Sequence, residues 1–511
     1  MKRSILIFPL LCMAIAGQAQ QVSPLWTDFV SAKQQGKTPV LPDFSYAGYH
    51  WSEKELPALT GKKVFKVADY GAISNDELYD DAAIQKAVDA AEANPGGGIV
   101  FFERGKYLIA PDEDAKKQIR ISKSGIILKG SGSGAGGTEI YQANMRINGR
   151  QFLFKPQEGS TKKLTTITGD VGRETFSVNV QDASKLKIGQ DVVIRHKSEE
   201  FTKMYFAPLD LKPQWTRLFG DKGGMQIYEI HTITKIAGNQ VSFKNPIHLD
   251  IKMVKSGSWD LESYNSISEC GIEDLMFSSN WKNYPEEFIH HKNEIHDYAY
   301  EAVGMEYLKD SWIRNCEFHD LNEGVFIRSG YRMTIENTHF RGKKGHASVH
   351  ARTGYGVLVK NCSFNGAQHH GAGTGYSAVG TVITKCSLGI DQNFDIHSGQ
   401  PYATLYDDVQ GGVFYNLGGP EPGYPHHGKE LVLWNFQHRS VKDQHYDFWD
   451  SSRRRNYTIA LPILVGFTSN KIVTFDHTGI NESQGKPVLP VSLFEAQLQW
   501  RLKGSDLTKA K

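Results

Sequence analysis

From Ser311 to Ile390 the chain repeats one short pattern of alternating polar and apolar residues. Four segments superpose: SWIRNCEFHD (311–320), MTIENTHFRG (333–342), VLVKNCSFNG (357–366) and VITKCSLGI (382–390). Their anchors Phe318, Phe340, Phe364 and Leu388 are 22, 24 and 24 residues apart. Alternation with period two predicts short strands. A repeat this short cannot bury its own apolar side, so its recurrence predicts a solenoid of stacked coils. GIEDLMF, ending at Phe277, reads as an earlier coil after a longer excursion. Cys316, Thr338, Cys362 and Cys386 share one position, and Asn315, Asn337 and Asn361 the one before it. Those columns are expected to be scaffold, with the Asn amides serving turn backbone groups.

A different period appears near the N-terminus. In VFKVADYGAISNDELYDDAAIQKAVDAAEANPGGGIVFFERGKYLI (64–109), apolar Ile84, Ala87, Val88 and Ala91 follow a pair of acids and precede Pro-Gly-Gly-Gly. This predicts an amphipathic helix between strands. The segment resembles the opening of the pectate-lyase superfamily, in which such a DYGA stretch, an Asp-Asp-led helix and a GGGxVxFxxGxY strand cap a right-handed parallel β-helix. The expected fold is therefore all-β: a right-handed parallel β-helix with an N-terminal helix cap. Residues 161–255 read as short strands and turns, hence a β-rich insertion. Ser492 and Glu495 form a capping-box pattern for a short helix expected to close the open end of the stack. The expected organisation is a signal peptide (1–19), a lead-in (20–63), the cap and first coils (64–160), the insertion (161–255), the main coils (256–450) and C-terminal coils with the helix (451–511).

Bulk properties narrow the function. MKRSILIFPLLCMAIAGQAQ has the basic start, apolar core and small-residue end of a secretory signal, predicting export to the periplasm or beyond. Use of Cys12 as a lipoprotein site is the lesser alternative. The formal charge of +2 comes from Lys2 and Arg3, so the processed chain is near neutral and nothing favours a nucleic-acid partner. No later stretch suits a membrane span; TIALPILVGF is short and contains Pro462. Cys270, Cys316, Cys362 and Cys386 show no CxxC or zinc spacing.

The candidate chemistry lies in KKGHASVHARTG (343–354). Gly345, Ala347, Val349 and Ala351 alternate with Lys344, His346, Ser348, His350 and Arg352, so one strand face carries the polar set. At the repeat spacing His346 falls beside His370. Arg328, His350 and Thr374 form a second column, and Arg352 and Tyr376 a third. DQNFDIH alternates again, placing Asp391, Asn393, Asp395 and His397 on one side. Fourteen of nineteen histidines lie between His290 and His445. Such a face suits β-elimination on a uronate-containing polysaccharide. Arg352 or Arg328 would bind the uronate carboxylate, with Arg352 placed as its neutraliser, His350 or His346 would take the C5 proton, and Tyr376 or another histidine would protonate the leaving oxygen. Arg328, Lys344, His370, Asp391, Asp395 and His397 are candidate substrate contacts.

Other readings stay open. A glycoside hydrolase on the same fold needs two carboxyls about 5 Å or about 6.5–9.5 Å apart, for which Asp391, Asp395, Glu323, Asp407 and Asp408 are candidates. A noncatalytic glycan-binding solenoid would show aromatic platforms without this titratable cluster. His346 and His350 lack the Glu of HExxH, while Asp391, Asp395 and His397 form a conceivable metal group across coils; no cofactor is identified. The glycines of HHGAGTGYSAVG have no strand–GxGxxG–helix context and are expected at tight corners.

Overall fold

The computed structural model describes residues 20–159, 161–414, 417–449 and 458–504; the signal-peptide and Cys12 readings lie outside them. Parallel strands stack into an 18-stranded sheet and a second 7-stranded one. This is the right-handed parallel β-helix expected from the repeats. On the second sheet Phe277, Phe318, Phe340 and Phe364 lie in register. Their rings are stacked with centroids 5.0, 4.8 and 5.1 Å apart, close to the strand spacing itself. The four described cysteines are buried free thiols. Asn315, Asn337 and Asn361 all adopt positive φ, of 54°, 49° and 53°. A short amide side chain tolerates that left-handed corner better than a bulky one.

Two long strands, Glu323–Glu336 and Ala347–Lys360, each turn a corner in mid-course. Gly330 pairs with Gly354 at the bend, where Gly354 has φ +116° and a Cβ would lie 2.2 Å from the Gly330 carbonyl oxygen. Before the bend Glu323–Glu336 pairs with Glu301–Glu306, after it with Leu308–Arg314, and Ala347–Lys360 stacks on its other edge. Each coil therefore presents two different faces, and the first carries the histidine-rich strand.

The predicted helix is Asp81–Ala93, with Ile84, Ala87, Val88 and Ala91 buried against the first strands. The excursion after the first coils is a six-stranded antiparallel sheet. It runs from Lys163–Thr166 to Asp260–Ser263, past the residue 255 at which the sequence pattern ends it. Its apolar side shares one core with Tyr331, Tyr355, Val379, Tyr402 and Leu405 on the second face of the coils. Buried hydroxyls pin the contact: Tyr402 donates to Glu229 at 2.7 Å and Tyr355 to the Pro246 carbonyl at 3.1 Å.

The C-terminal helix Leu493–Lys503 departs from expectation. Rather than closing the stack, it lies along its flank: Glu495 pairs with Lys385 and Lys360, and Gln497 bonds Phe44 and Pro42 of the lead-in. The Ser492 hydroxyl accepts from the Glu495 amide, but the Glu495 carboxylate is engaged by Lys385 instead of reaching back. Asp407 completes the cap by accepting from the Leu493 amide at 2.8 Å. That explains the buried Asp407 without catalysis. Burial pushes its pKa up to about 6.

Candidate functional site

The strand Ala347–Lys360 keeps the predicted alternation, with Val349 and Ala351 in the core. Its polar side is nevertheless not an open face. His346, Ser348 and His350 are buried, and Arg352 is half-exposed. Two segments cover them. Phe288 and His290 lie over His346, with ring centroids at 6.1 and 5.3 Å. The Gly418 amide donates to Asp395 at 3.0 Å.

Register corrects the predicted columns. Arg328 pairs with Arg352, then Gly375, then His397; Phe326 pairs with His350, then Gly373, then Asp395. The step between these coils is 23 residues at His350 and 24 after the bend, so one extra residue enters at Tyr376. Tyr376 takes φ +55° in this β-bulge, which turns its ring outward to 39% exposure. Thr374 faces the other side and is fully buried. Lys344 precedes the strand and is exposed. Asp391 sits at a coil corner, accepting from the Val441 amide. Neither belongs to the site.

The centre of the face is Asp395, which is fully buried. Three imidazoles surround its carboxylate: His350 Nε2 at 2.7 Å, His370 Nδ1 at 3.1 Å and His397 Nδ1 at 3.2 Å. Burial works against ionisation, but His370, His397 and His350 outweigh it and hold the Asp395 pKa well below the carboxylate range. An ionised carboxylate only accepts, so His350 Nε2 and His397 Nδ1, which hydrogen-bond it, carry their protons there. The opposite nitrogens are then lone pairs. His350 Nδ1 uses its own to accept from Arg352 Nη2 at 3.0 Å.

His350 and Asp395 stand on strands two coils apart. They meet because Gly373 lies between them: a Cβ on Gly373 would come 2.6 Å from that of Asp395, and one on Gly375 2.7 Å from that of His397. These glycines are therefore not corner residues, as the sequence implies, but clearances in mid-strand.

This geometry removes His350 as a base, since both ring nitrogens are engaged and the ring is buried. Burial and the Arg352 charge push its pKa down to about 4. His346 is likewise enclosed, its Nδ1 2.8 Å from the Asp297 carbonyl oxygen. His397 is the better placed imidazole. Its side chain is 12% exposed, its Nδ1 donates to Asp395 and burial brings its pKa to about 3. The ring is thus neutral at pH 7, oriented by a carboxylate, and the one imidazole bound to Asp395 that reaches solvent. Tyr376 stacks on it at 6.1 Å, and the Arg352 guanidinium lies 5.4 Å from the Tyr376 ring. Arg328 is exposed one coil away.

Tyr376 also borders a cleft of about 280 Å³ between this edge and the insertion. Lys197, Arg217, Lys222 and Gln226 line it from the insertion, and Gln400 from the coils. No repeat signal marks these cations, because they come from the antiparallel sheet and its loops. A second feature flanks the face. Glu301 and Glu323 are aligned on adjacent coils beside Arg150. Burial raises the Glu301 pKa far above its usual range, whereas Arg150 and the Glu301 proton bring Glu323 down to about 2 against its own burial. The two carboxyls thus hold one proton between them.

Residues 64–326 match the family described as "Rhamnogalacturonase A/epimerase, pectate lyase-like". The chain belongs to this family. A "Right handed beta helix region" matches residues 258–400, and a "Domain of unknown function (DUF4955)" matches 367–507. Among curated proteins, this pectate lyase-like chain is 31% identical over 118 residues to mannuronan C5-epimerase AlgE3 of Azotobacter vinelandii, covering 23% of this chain and 6% of that protein. It is 36% identical over 119 residues to alginate lyase 7 of the same organism, covering 23% and 12%. The chain thus spans only a small part of the curated relatives it matches. The AlgE4 A-module structure from A. vinelandii aligns over 83% of this chain and 97% of its own, at 13% identity and TM-score 0.39. A DFA-IIIase structure from Arthrobacter chlorophenolicus aligns over 83% and 90%, at 10% identity and TM-score 0.35. The family matches place the chain among pectate lyase-like proteins with a right-handed β-helix.

Proposed function

We propose that this protein is an exported enzyme that cleaves a uronate-containing polysaccharide by β-elimination, with His397 as the base. One observation carries the reading: a neutral, partly exposed imidazole fixed by a buried carboxylate, with a guanidinium and a phenol beside it and a cation-lined cleft adjoining. Arg352, assisted by Arg328, binds the uronate carboxylate and stabilises the enolate-like charge that develops as C5 is deprotonated. His397 Nε2 takes that proton. The C5 carbanion electrons form the C4–C5 double bond as the bond from C4 to the glycosidic oxygen breaks. Tyr376 donates a proton to the departing oxygen. Lys197, Arg217 and Lys222 favour further carboxylates along the chain. The likeness to proteins named as a C5-epimerase and an alginate lyase supports uronate chemistry, and the N-terminal sequence supports export.

The test is a panel of polyuronides and neutral glycans, followed by ultraviolet absorbance of unsaturated uronate, by reducing ends and by NMR in deuterium oxide. Absorbance rising with new chain ends on a polyuronide is expected. Deuterium entering C5 without absorbance would replace elimination by epimerisation. Reducing ends without absorbance would overturn the reading in favour of hydrolysis, and no change on any glycan would overturn the enzyme assignment.

A further inference from the structure

The orphaned nitrogens beside the catalytic face converge on a point that the elimination chemistry does not use. One ring nitrogen from each of His290, His346 and His370 lies within 4.8 Å of the other two. His346 Nδ1 faces the Asp297 carbonyl at 2.8 Å, so the proton sits there and Nε2 is a lone pair. His370 Nδ1 lies 3.1 Å from the Asp395 carboxylate but outside hydrogen-bond geometry, so both of its ring nitrogens are left without a hydrogen-bond partner. Both Nε2 atoms are buried without any hydrogen-bond partner, on side chains 8% and 1% exposed. Unpartnered buried acceptors are costly. Two of them on adjacent coils, with a third imidazole above, need a common electrophile to satisfy them.

We propose that His290, His346 and His370 bind one divalent transition-metal ion, zinc in the first instance. Neutral imidazoles are borderline donors that suit zinc rather than calcium or magnesium. His346 already has the outer partner such sites use, a backbone carbonyl that fixes its tautomer, and the Asp395 carboxylate lies 3.1 Å behind His370. His290 comes from the covering segment, on a half-exposed turn, so metal would tie that segment to the coils. Three protein ligands leave a tetrahedral position open for water or a substrate oxygen. This site shares His370 and Asp395 with the catalytic network, but the assignment stands on the three histidines and does not depend on which reaction the protein performs.

The experiment uses untagged full-length chain, stripped with chelator, dialysed and titrated with zinc chloride. Bound metal is counted by mass spectrometry, and cobalt(II) substitution reports coordination by its visible spectrum. One ion per chain is expected, with a tetrahedral nitrogen-ligand cobalt spectrum and a raised Tm. His290→Ala lies outside the packed core and should keep the wild-type circular dichroism. It should weaken zinc by more than the roughly 10–100-fold lost with an outer partner; His346→Ala and His370→Ala should do the same where they fold. A folded wild-type chain that takes up no stoichiometric zinc or cobalt would overturn the proposal. So would His290→Ala binding zinc as tightly as the wild type.

Discussion

At the scale of single residues, the face is governed by where protons sit. Asp395 is fully buried, yet it decides the tautomers of His350 and His397 and so which of their nitrogens are free. His350 spends its free nitrogen on Arg352, and His397 keeps its own. Replacing His397 with Gln should therefore lower turnover by about 10²–10⁴-fold while leaving the unfolding midpoint close to wild type, measured as kcat against urea unfolding. Equal activity in this variant would return the base to another residue. The sequence shows that nitrogen is concentrated on one strand. It does not show which imidazole is exposed, because that depends on covering segments 281–299 and 417–427 and on a bulge at Tyr376. A bulge is one residue of local geometry, and 23- and 24-residue steps look alike until the backbone is paired.

At the scale of elements, the repeats make the coil stack legible because each column has one job. Phe rings stack, Asn residues take left-handed corners, and the helix at 81–93 buries the residues its period marks. The insertion's cationic wall and the flanking C-terminal helix are less legible, since both depend on contacts hundreds of residues apart with no periodic signal. The strand Gly373–Val379 gives the sharpest element-level prediction. Gly373→Ala would place a methyl 2.2 Å from the Asp395 carbonyl oxygen, forcing the strands apart. A loss of about 1–3 kcal/mol is expected from overpacking, with loss of activity, read from urea unfolding and kcat/KM. Gly134→Ala, where the added atom meets nothing within 4 Å, should change stability by less than about 0.5 kcal/mol.

At the scale of the whole molecule, buried neutral histidines make stability depend on acid. His426, His427 and His438 are buried, and burial lowers their pKa values to about 3, 4 and 4. Unfolded, each would titrate near 6.5. The unfolded chain therefore binds more protons between about pH 4 and 6.5, and stability rises with pH through that window. Three such groups contribute a slope of up to about 4 kcal/mol per pH unit. Urea midpoints measured at pH 7.5, 6 and 5 should fall in that order; a flat series would show that these rings are solvated. The same burial is invisible in composition, where a histidine counts only as neutral or charged.

The contact between His350 and Asp395 has one more consequence. Coils of a solenoid ordinarily couple only to their neighbours, so strands can fray one at a time from an end. A clasp that reaches over an intervening strand forbids that order locally: the strands containing His350, Gly373 and Asp395 must part together or not at all. The region proposed to perform the chemistry is thereby a single cooperative block within an otherwise serial molecule, and its amides should exchange with solvent as one set.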